Sequence, residues 1–115
     1  MLKRILNDLI KVEGVSAAAI VGRDGFIIEH VSNLQMDVDA LGAMASTSVG
    51  TSEAMGIELG KGTFEQVLVE LEKGPVLLSL VSTNEILAIV AEPGSNVGRI
   101  RYEVKKNKDR ISAAL

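Results

Sequence analysis

Residues 56–63 are the first part of the chain whose residue types and spacing suggest a chemical function, namely phosphate binding. A phosphate-binding loop follows the pattern G-x-x-x-x-G-K-[ST], in which the lysine directly precedes the hydroxyl residue. Here one spacer residue is missing, and Gly62 separates Lys61 from Thr63. The segment also lies between a predicted helix and a predicted strand, so no helix N-terminus points at a phosphate. We therefore interpret its glycines as a helix-to-strand turn.

His30 is the only histidine, and the chain contains no cysteine with which it could share a metal ion. No serine lies in a G-x-S-x-G motif that would pair it with this histidine for catalysis. Asp37 and Asp39 form a carboxylate pair, but helix capping explains both. We expect no catalytic residue, no metal site and no cofactor, which predicts that the protein is not an enzyme.

Length and composition are those of a folded globular domain, predicted to extend over residues 1–115. Hydrophobic residues make up 47% and charged residues 23%, which excludes a disordered chain. The longest run without charge, residues 40–52, is shorter than the roughly 18 residues that span a bilayer. The N-terminus has no apolar block like that of a signal peptide, and the lack of cysteine fits a reducing compartment. We expect a cytoplasmic protein without a membrane span.

The charged residues are unevenly distributed. The net charge is −3, yet residues 95–115 carry six basic and two acidic side chains, so the rest of the chain is strongly acidic. This balance argues against binding to nucleic acid, and the three aromatic residues are too few for stacking on bases. A basic C-terminal helix is usually a solvated surface; the alternative is a patch for an acidic partner.

Hydrophobic periodicity predicts a helix followed by a hairpin at the start of the chain. The helix has one apolar face, made of Leu2, Ile5, Leu6, Leu9 and Ile10. Strands over 16–23 and 26–31 then flank Asp24 and Gly25. This pair is typical of a two-residue turn in which both residues have positive φ.

The remaining chain reads as a helix, three strands and a helix. Asp37 or Asp39 can cap the second helix, which extends to about residue 59, and Ser95 can cap the last one. The three strands are predicted over 63–71, 76–82 and 86–91. Because the last two are apolar on both faces, helices must cover both sides of the sheet. The order α-ββ-α-βββ-α therefore predicts an α/β (α+β) fold with a five-stranded antiparallel sheet.

The second helix is the most informative element, because it has no charge from residue 40 to residue 52. Its sheet-facing side is predicted to contain Leu41, Ala45, Ser48, Ser52 and Met55. The opposite side contains small uncharged residues, namely Ala43, Ser46, Thr47, Gly50 and Ala54. Such a side permits close approach of a partner at a low desolvation cost. The alternative is a weak surface helix that simply lacks charges.

The partly polar strand over 63–71 is predicted to lie at an edge of the sheet, where a second copy could cover it. One side of this strand presents Phe64, Gln66, Leu68 and Glu70. Together with the small side of the second helix, these residues are the predicted interface of a homodimer.

The chain resembles the Roadblock (dynein light chain) family over essentially its whole length. The resemblance rests on the element order, on the hairpin with its sequence VGRDGFII, on the small-residue second helix, and on the helix start NVGRIR. It implies a profilin-like sheet with one helix on one face and two on the other, and a dimer formed through the edge strand and the second helix. It also implies that the chain binds no nucleotide itself.

The resemblance further implies a function through partner proteins. Prokaryotic members often regulate small Ras-like GTPases, including as GTPase-activating dimers, and eukaryotic relatives are adaptors. We therefore expect a regulator of a small GTPase, with a scaffold that leaves hydrolysis unchanged as the alternative. A small-molecule sensor is disfavoured, because the second helix lacks the aromatic and polar anchors of a ligand pocket.

Overall fold

The computed structural model describes all 115 residues as three helices and five strands. The helices are α1 (Leu2–Ile10), α2 (Val38–Glu58) and α3 (Val97–Ala114). The strands are β1 (Val15–Gly22), β2 (Ile27–Ser32), β3 (Gln66–Val69), β4 (Val76–Leu80) and β5 (Glu85–Ala91). This order confirms the predicted sequence of elements.

The five strands form one antiparallel sheet in the order β2-β1-β5-β4-β3. The pairs β1–β2, β3–β4 and β4–β5 are hairpins of consecutive strands, and β1 pairs with β5 across the middle of the sheet. The sheet therefore has two edges, β2 and β3, and the prediction that the third strand lies at an edge is confirmed.

The sheet separates two hydrophobic cores. On one face α1 and α3 cover a cluster that includes Ile5, Leu6, Leu9, Ala18, Ile20, Leu87, Ile89, Ile100, Val104 and Ile111. On the other face α2 covers a smaller cluster of Ala19, Val21, Ala45, Val49, Leu78, Ile86 and Ala88. Successive residues of β1 and β5 thus belong to opposite cores, as the period of a strand requires. This confirms one helix on one face and two on the other.

The β1–β2 connection forms the predicted hairpin, but the expected two-residue turn is wrong. Only Gly25 has positive φ, at 89°, whereas Asp24 does not. The Gly25 amide donates to the Gly22 carbonyl and the Gly22 amide to the Phe26 carbonyl, which closes a three-residue loop. The Asp24 carboxylate accepts a hydrogen bond from the Phe26 amide, and this bond stabilises the wider loop.

Strand β3 is shorter than predicted, because only Gln66–Val69 pair with β4. Before the strand, Phe64 packs against the core beneath α2. After it, the Gly74 amide donates to the Leu71 carbonyl in the turn that leads to β4. The polar and turn-forming ends of residues 63–71 thus lie outside the ladder.

The capping residue of α2 is one that the sequence predicted, whereas that of α3 is not. Asp37 caps α2, because its side chain accepts a hydrogen bond from the Ala40 amide. Asn96 caps α3 by accepting from the Arg99 amide, so the prediction of Ser95 is wrong. The Ser95 hydroxyl donates instead to the Glu92 carbonyl and is not available as a cap.

Two glycines determine which side of α2 faces the sheet. A Cβ added at Gly42 would lie 2.4 Å from the Gly25 carbonyl oxygen, and one added at Gly56 would lie 2.5 Å from the Gly62 carbonyl oxygen. Both glycines therefore lie against backbone, on the same side of the helix as the buried Ala45 and Val49. The predicted sheet-facing side is partly wrong, because it was rotated away from these contacts.

Replacing Gly42 with alanine should destabilise the protein, since the new methyl group would overlap the Gly25 carbonyl. We expect a loss of about 1–3 kcal/mol in the free energy of unfolding, typical of overpacking, measured by urea denaturation. Gly98→Ala is the matched control, because its Cβ would lie 3.4 Å from the Asn96 side chain, an ordinary contact. Equal stability of the two variants would contradict the close helix–hairpin contact.

Candidate functional site

The outer face of α2 is exposed, as the sequence predicted, for most of its small residues. Ala43, Thr47, Gly50 and Ala54 are exposed, whereas Ser46 is half-buried beside the hairpin at Gly25. A Cβ added at Gly50 would have no neighbour within 4 Å, so nothing in the chain covers this position. The structure therefore keeps four of the five predicted residues together and turns Ser46 toward the hairpin.

Three hydroxyl groups of α2, those of Ser46, Thr47 and Thr51, form hydrogen bonds within the helix. Thr47 donates to the Ala43 carbonyl, and Thr51 donates to the Thr47 carbonyl one turn later. Ser46 also donates to the Ala43 carbonyl. Because these groups bond to their own backbone, a partner that covers the helix would leave few polar groups without a hydrogen bond.

Large apolar side chains border this small-residue face. Met44 is 62% exposed and Met55 57%, while Ile57 and Leu59 at the end of the helix are 76% and 64% exposed. Met55 was predicted to face the sheet, which is wrong because Gly56 takes that side. The alignment of Gly42 and Gly56 with Ala45 and Val49 is the sequence signal that would have identified these exposed residues.

The four residues predicted on one side of the edge strand do not share a face in the structure. Phe64 packs against the core beneath α2, whereas Leu68 packs against the core beneath α1 and α3. Gln66 lies opposite Ser79 in the ladder, and Glu70 is exposed beyond the end of the strand. The outer backbone edge of β3, with no neighbouring strand, is the feature that remains available to a partner.

A shallow cavity of about 490 Å³ joins the end of α2 to the start of β3. Its lining includes Gly56, Ile57, Gly60, Gly62, Phe64 and Leu80. Within this segment the Lys61 amide donates to the Gly56 carbonyl, as part of the predicted turn between helix and strand. Glu53 and Thr63 complete the lining, so the cavity joins α2 to the edge strand through a surface of mostly glycine and apolar side chains with one carboxylate.

The family model that matches this chain describes the Roadblock/LC7 domain, and the match covers residues 1–91. A protein of Methanocaldococcus jannaschii is 37% identical over 98% of this chain and 98% of its own length. The chain belongs to the Roadblock/LC7 family. A second protein of the same organism, 36% identical, matches over the same shares of both chains.

Solved structures agree with this Roadblock/LC7 assignment at the level of the fold. The Roadblock/LC7 domain from Streptomyces avermitilis has a TM-score of 0.89 at 23% identity and covers 96% of this chain and 94% of its own. Myxococcus xanthus MglB also scores 0.89, at 19% identity, with 99% and 96% covered. Acanthamoeba castellanii profilin IA scores 0.69 at 16% identity, with 99% and 98% covered. The profilin-like Roadblock fold is thus confirmed.

Membership of the Roadblock/LC7 family identifies the chain as a protein-interaction domain, in agreement with its surface. No group of three or more His, Cys, Asp or Glu side chains is placed to hold a metal ion. No helix combines the length and apolar composition needed to cross a bilayer.

One ion pair of this Roadblock/LC7 chain connects α2 to the turns beside it. Arg23 donates from both terminal nitrogens to the Glu53 carboxylate, at 2.6 and 2.7 Å, and its Nε donates to the Thr83 carbonyl. The hydrogen bond from Arg23 lowers the pKa of Glu53 below its ordinary value, against a smaller desolvation effect. The bonds hold the β1–β2 turn, the β4–β5 turn and α2 in one arrangement.

The contribution of this pair to stability should disappear in acid. A lowered pKa means that the folded state favours the charged carboxylate, so the stabilisation is present above the ordinary Glu pKa of about 4.3 and is lost as the pH falls through the lower pKa in the folded protein. We expect Glu53→Gln to cost at most about 1 kcal/mol at neutral pH, because the pair is partly exposed. Urea denaturation from pH 7 to pH 3 should show the two proteins converging; a constant difference would contradict the pair.

Proposed function

We propose that this chain acts as one Roadblock domain that dimerises through α2 and β3 and regulates a small Ras-like GTPase without being an enzyme itself. The observation that supports this best is the outer face of α2. This face is exposed and uncharged from residue 40 to residue 52, the hydroxyls of Thr47 and Thr51 form hydrogen bonds within the helix, and it lies beside a free sheet edge.

Two-fold symmetry connects the helix face with the strand edge. If β3 pairs antiparallel with β3 of a second copy, the two sheets become one and both α2 helices lie on the same face. The helices then lie side by side across the two-fold axis. Small residues at Ala43, Gly50 and Ala54 permit close approach, while Met44 and Met55 can supply apolar contact area.

A positive charge at Gly50 should separate this dimer. Gly50→Arg places an unpaired charge where the partner helix would lie, while the open space around Gly50 lets the arginine extend into solvent in a folded monomer. Light scattering after gel filtration should show about twice 12.2 kDa for the wild type and 12.2 kDa for Gly50→Arg. Ala113→Arg, at an exposed site on α3, is the matched control and should remain dimeric.

Two results would contradict the proposed dimer or its interface. A wild-type protein of 12.2 kDa at tens of micromolar would refute it. A dimeric Gly50→Arg with an unchanged circular dichroism spectrum would show that another surface joins the copies. Ala43→Arg tests the same face about two helical turns before Gly50 and should also give a monomer.

Regulation of a GTPase is proposed to act through the paired α2 helices and not through an inserted arginine. An arginine finger needs a free guanidinium on a partner-facing loop, and it supplies a factor of about 10³–10⁵ in rate. Arg23 is the one arginine in a turn, and its donors are engaged with Glu53 and Thr83. The chain would therefore hold the catalytic residues of the GTPase in position.

GTP turnover by small Ras-like GTPases from the same genome tests this proposal. We expect Arg23→Ala to keep most of any stimulation, since Arg23 has a structural role, and Gly50→Arg to lose it together with the dimer. A loss of about three orders of magnitude in Arg23→Ala alone would establish the finger mechanism instead. Melting curves of both variants control for unfolding.

The second candidate function is a dimeric adaptor that binds partners without changing GTP hydrolysis. The lack of charge between Asp39 and Glu53 favours it, because this face offers no group that could stabilise developing charge in a reaction. Binding of a GTPase with an unchanged turnover rate would select the adaptor.

A further inference from the structure

A second concave surface lies on the opposite side of the sheet from α2. It is a groove of about 740 Å³ between α3 and the β3 edge. Helix α3 contributes Arg101, Tyr102, Lys105 and Lys108, and the strands contribute Gln66 and Ser79. The three basic residues recur at intervals of four and three along α3, so they follow one side of the helix.

The cations of α3 divide into two sets according to the side of the helix on which they lie. Arg99 and Lys106 both pair with Glu103, at 3.4 and 3.9 Å, and Arg110 pairs with Asp8 of α1 at 3.5 Å. The groove cations Arg101, Lys105 and Lys108 form no such pair. The groove side of α3 therefore carries three cations that form no ion pair.

Two acidic residues near the groove reduce its charge but do not neutralise it. Glu65 lines the groove, and Asp109 lies one helical turn after Lys105. Neither carboxylate forms an ion pair with a groove cation, because no carboxylate oxygen lies within 4.0 Å of a groove nitrogen. Gln66 and Ser79 add an amide and a hydroxyl that can donate hydrogen bonds to a bound oxygen.

The size of the groove limits the occupant to a short segment. From Arg101 to Lys108 the helix advances about 10 Å, at about 1.5 Å per residue. An extended peptide rises about 3.3 Å per residue, so about three or four of its residues can lie along the three cations. Carboxylates fit here because they accept charge-assisted hydrogen bonds from lysine and arginine.

A long polyanion or an anionic bilayer fits this surface less well. Outside residues 95–115 the chain carries 13 acidic and six basic side chains, which would repel a polyanion that extends beyond the groove. The groove is concave, whereas a bilayer surface is flat, and Tyr102 is its one exposed aromatic residue. Only a short acidic segment meets the cations without meeting the acidic surface.

We infer that the groove between α3 and β3 binds a short, extended acidic segment of a partner protein. The carboxylates contact Arg101, Lys105 and Lys108, and the backbone of the segment lies over Gln66 and Ser79. This site lies on the other face of the sheet from α2 but shares β3 with the proposed dimer interface. In that dimer β3 pairs with the second copy through its outer backbone edge, whereas the groove uses the side of β3 that faces α3.

An NMR titration of the full-length, ¹⁵N-labelled protein tests this site. The probe is a synthetic peptide with four consecutive glutamates between Gly-Ser ends, and its partner probe has four glutamines instead. We expect saturable shifts in Gln66, Ser79, Arg101, Lys105 and Lys108 with the glutamate peptide, weakening as salt is added, and none with the glutamine peptide. No saturation up to about 5 mM glutamate peptide, or shifts concentrated on α2, would overturn the proposal.

Two double charge reversals distinguish binding at the groove from a general effect of the net charge of the protein. Lys105→Glu/Lys108→Glu should weaken binding at least about tenfold, whereas Lys3→Glu/Lys106→Glu, with the same change in net charge, should stay within about twofold. Equal weakening in both variants would overturn the site. So would tighter binding of a single-stranded oligonucleotide or of phosphatidylserine vesicles than of the peptide. Gel filtration of each variant reports the dimer separately, so the two proposals can fail independently.

Discussion

The close contact between Gly42 of α2 and the carbonyl of Gly25 determines how α2 is rotated on the sheet, and therefore which of its side chains are exposed. A side chain at Gly42 would overlap this carbonyl, so the helix lies at this distance only because that position is glycine. Gly56 makes the corresponding contact with Gly62 at the other end of the helix. With both ends placed against backbone, the rotation of α2 is set, and Met44 and Met55 are turned outward together with the small residues.

The fold could be predicted well from the sequence because long apolar runs identify its strands and helices. The site was predicted less well because it depends on the contacts of a few small residues. Apolar runs in β4 and β5 required helices on both faces, and the structure places them there. The orientation of α2 depended instead on which small residues contact backbone, a matter of a single Cβ that hydrophobic patterning does not reveal. In the same way, Asp24 and Gly25 indicated a hairpin but not its loop length, which depends on the hydrogen bond from the Phe26 amide to Asp24.

The two faces of the sheet carry opposite kinds of surface. The outer face of α2 has no charge from residue 40 to residue 52 and is bordered by methionines, whereas α3 places cations in a groove. Apolar contact gives affinity with little dependence on salt, while contact between charges mainly governs the rate of encounter and the choice of partner. If both proposed interfaces form, this Roadblock/LC7 domain would bind one partner stably through α2 and exchange another at the groove.

The strand order also has a consequence for how the chain folds. Every strand pair is a local hairpin except β1 with β5, whose residues are separated by most of the chain. Both hydrophobic cores draw side chains from these two strands, so neither core is complete until they meet. Closing this long loop is the entropically costly step, and the pairing of β1 with β5 then buries apolar side chains on both faces of the sheet at once. The molecule should consequently fold and unfold as one cooperative unit, with no state in which only one face is packed.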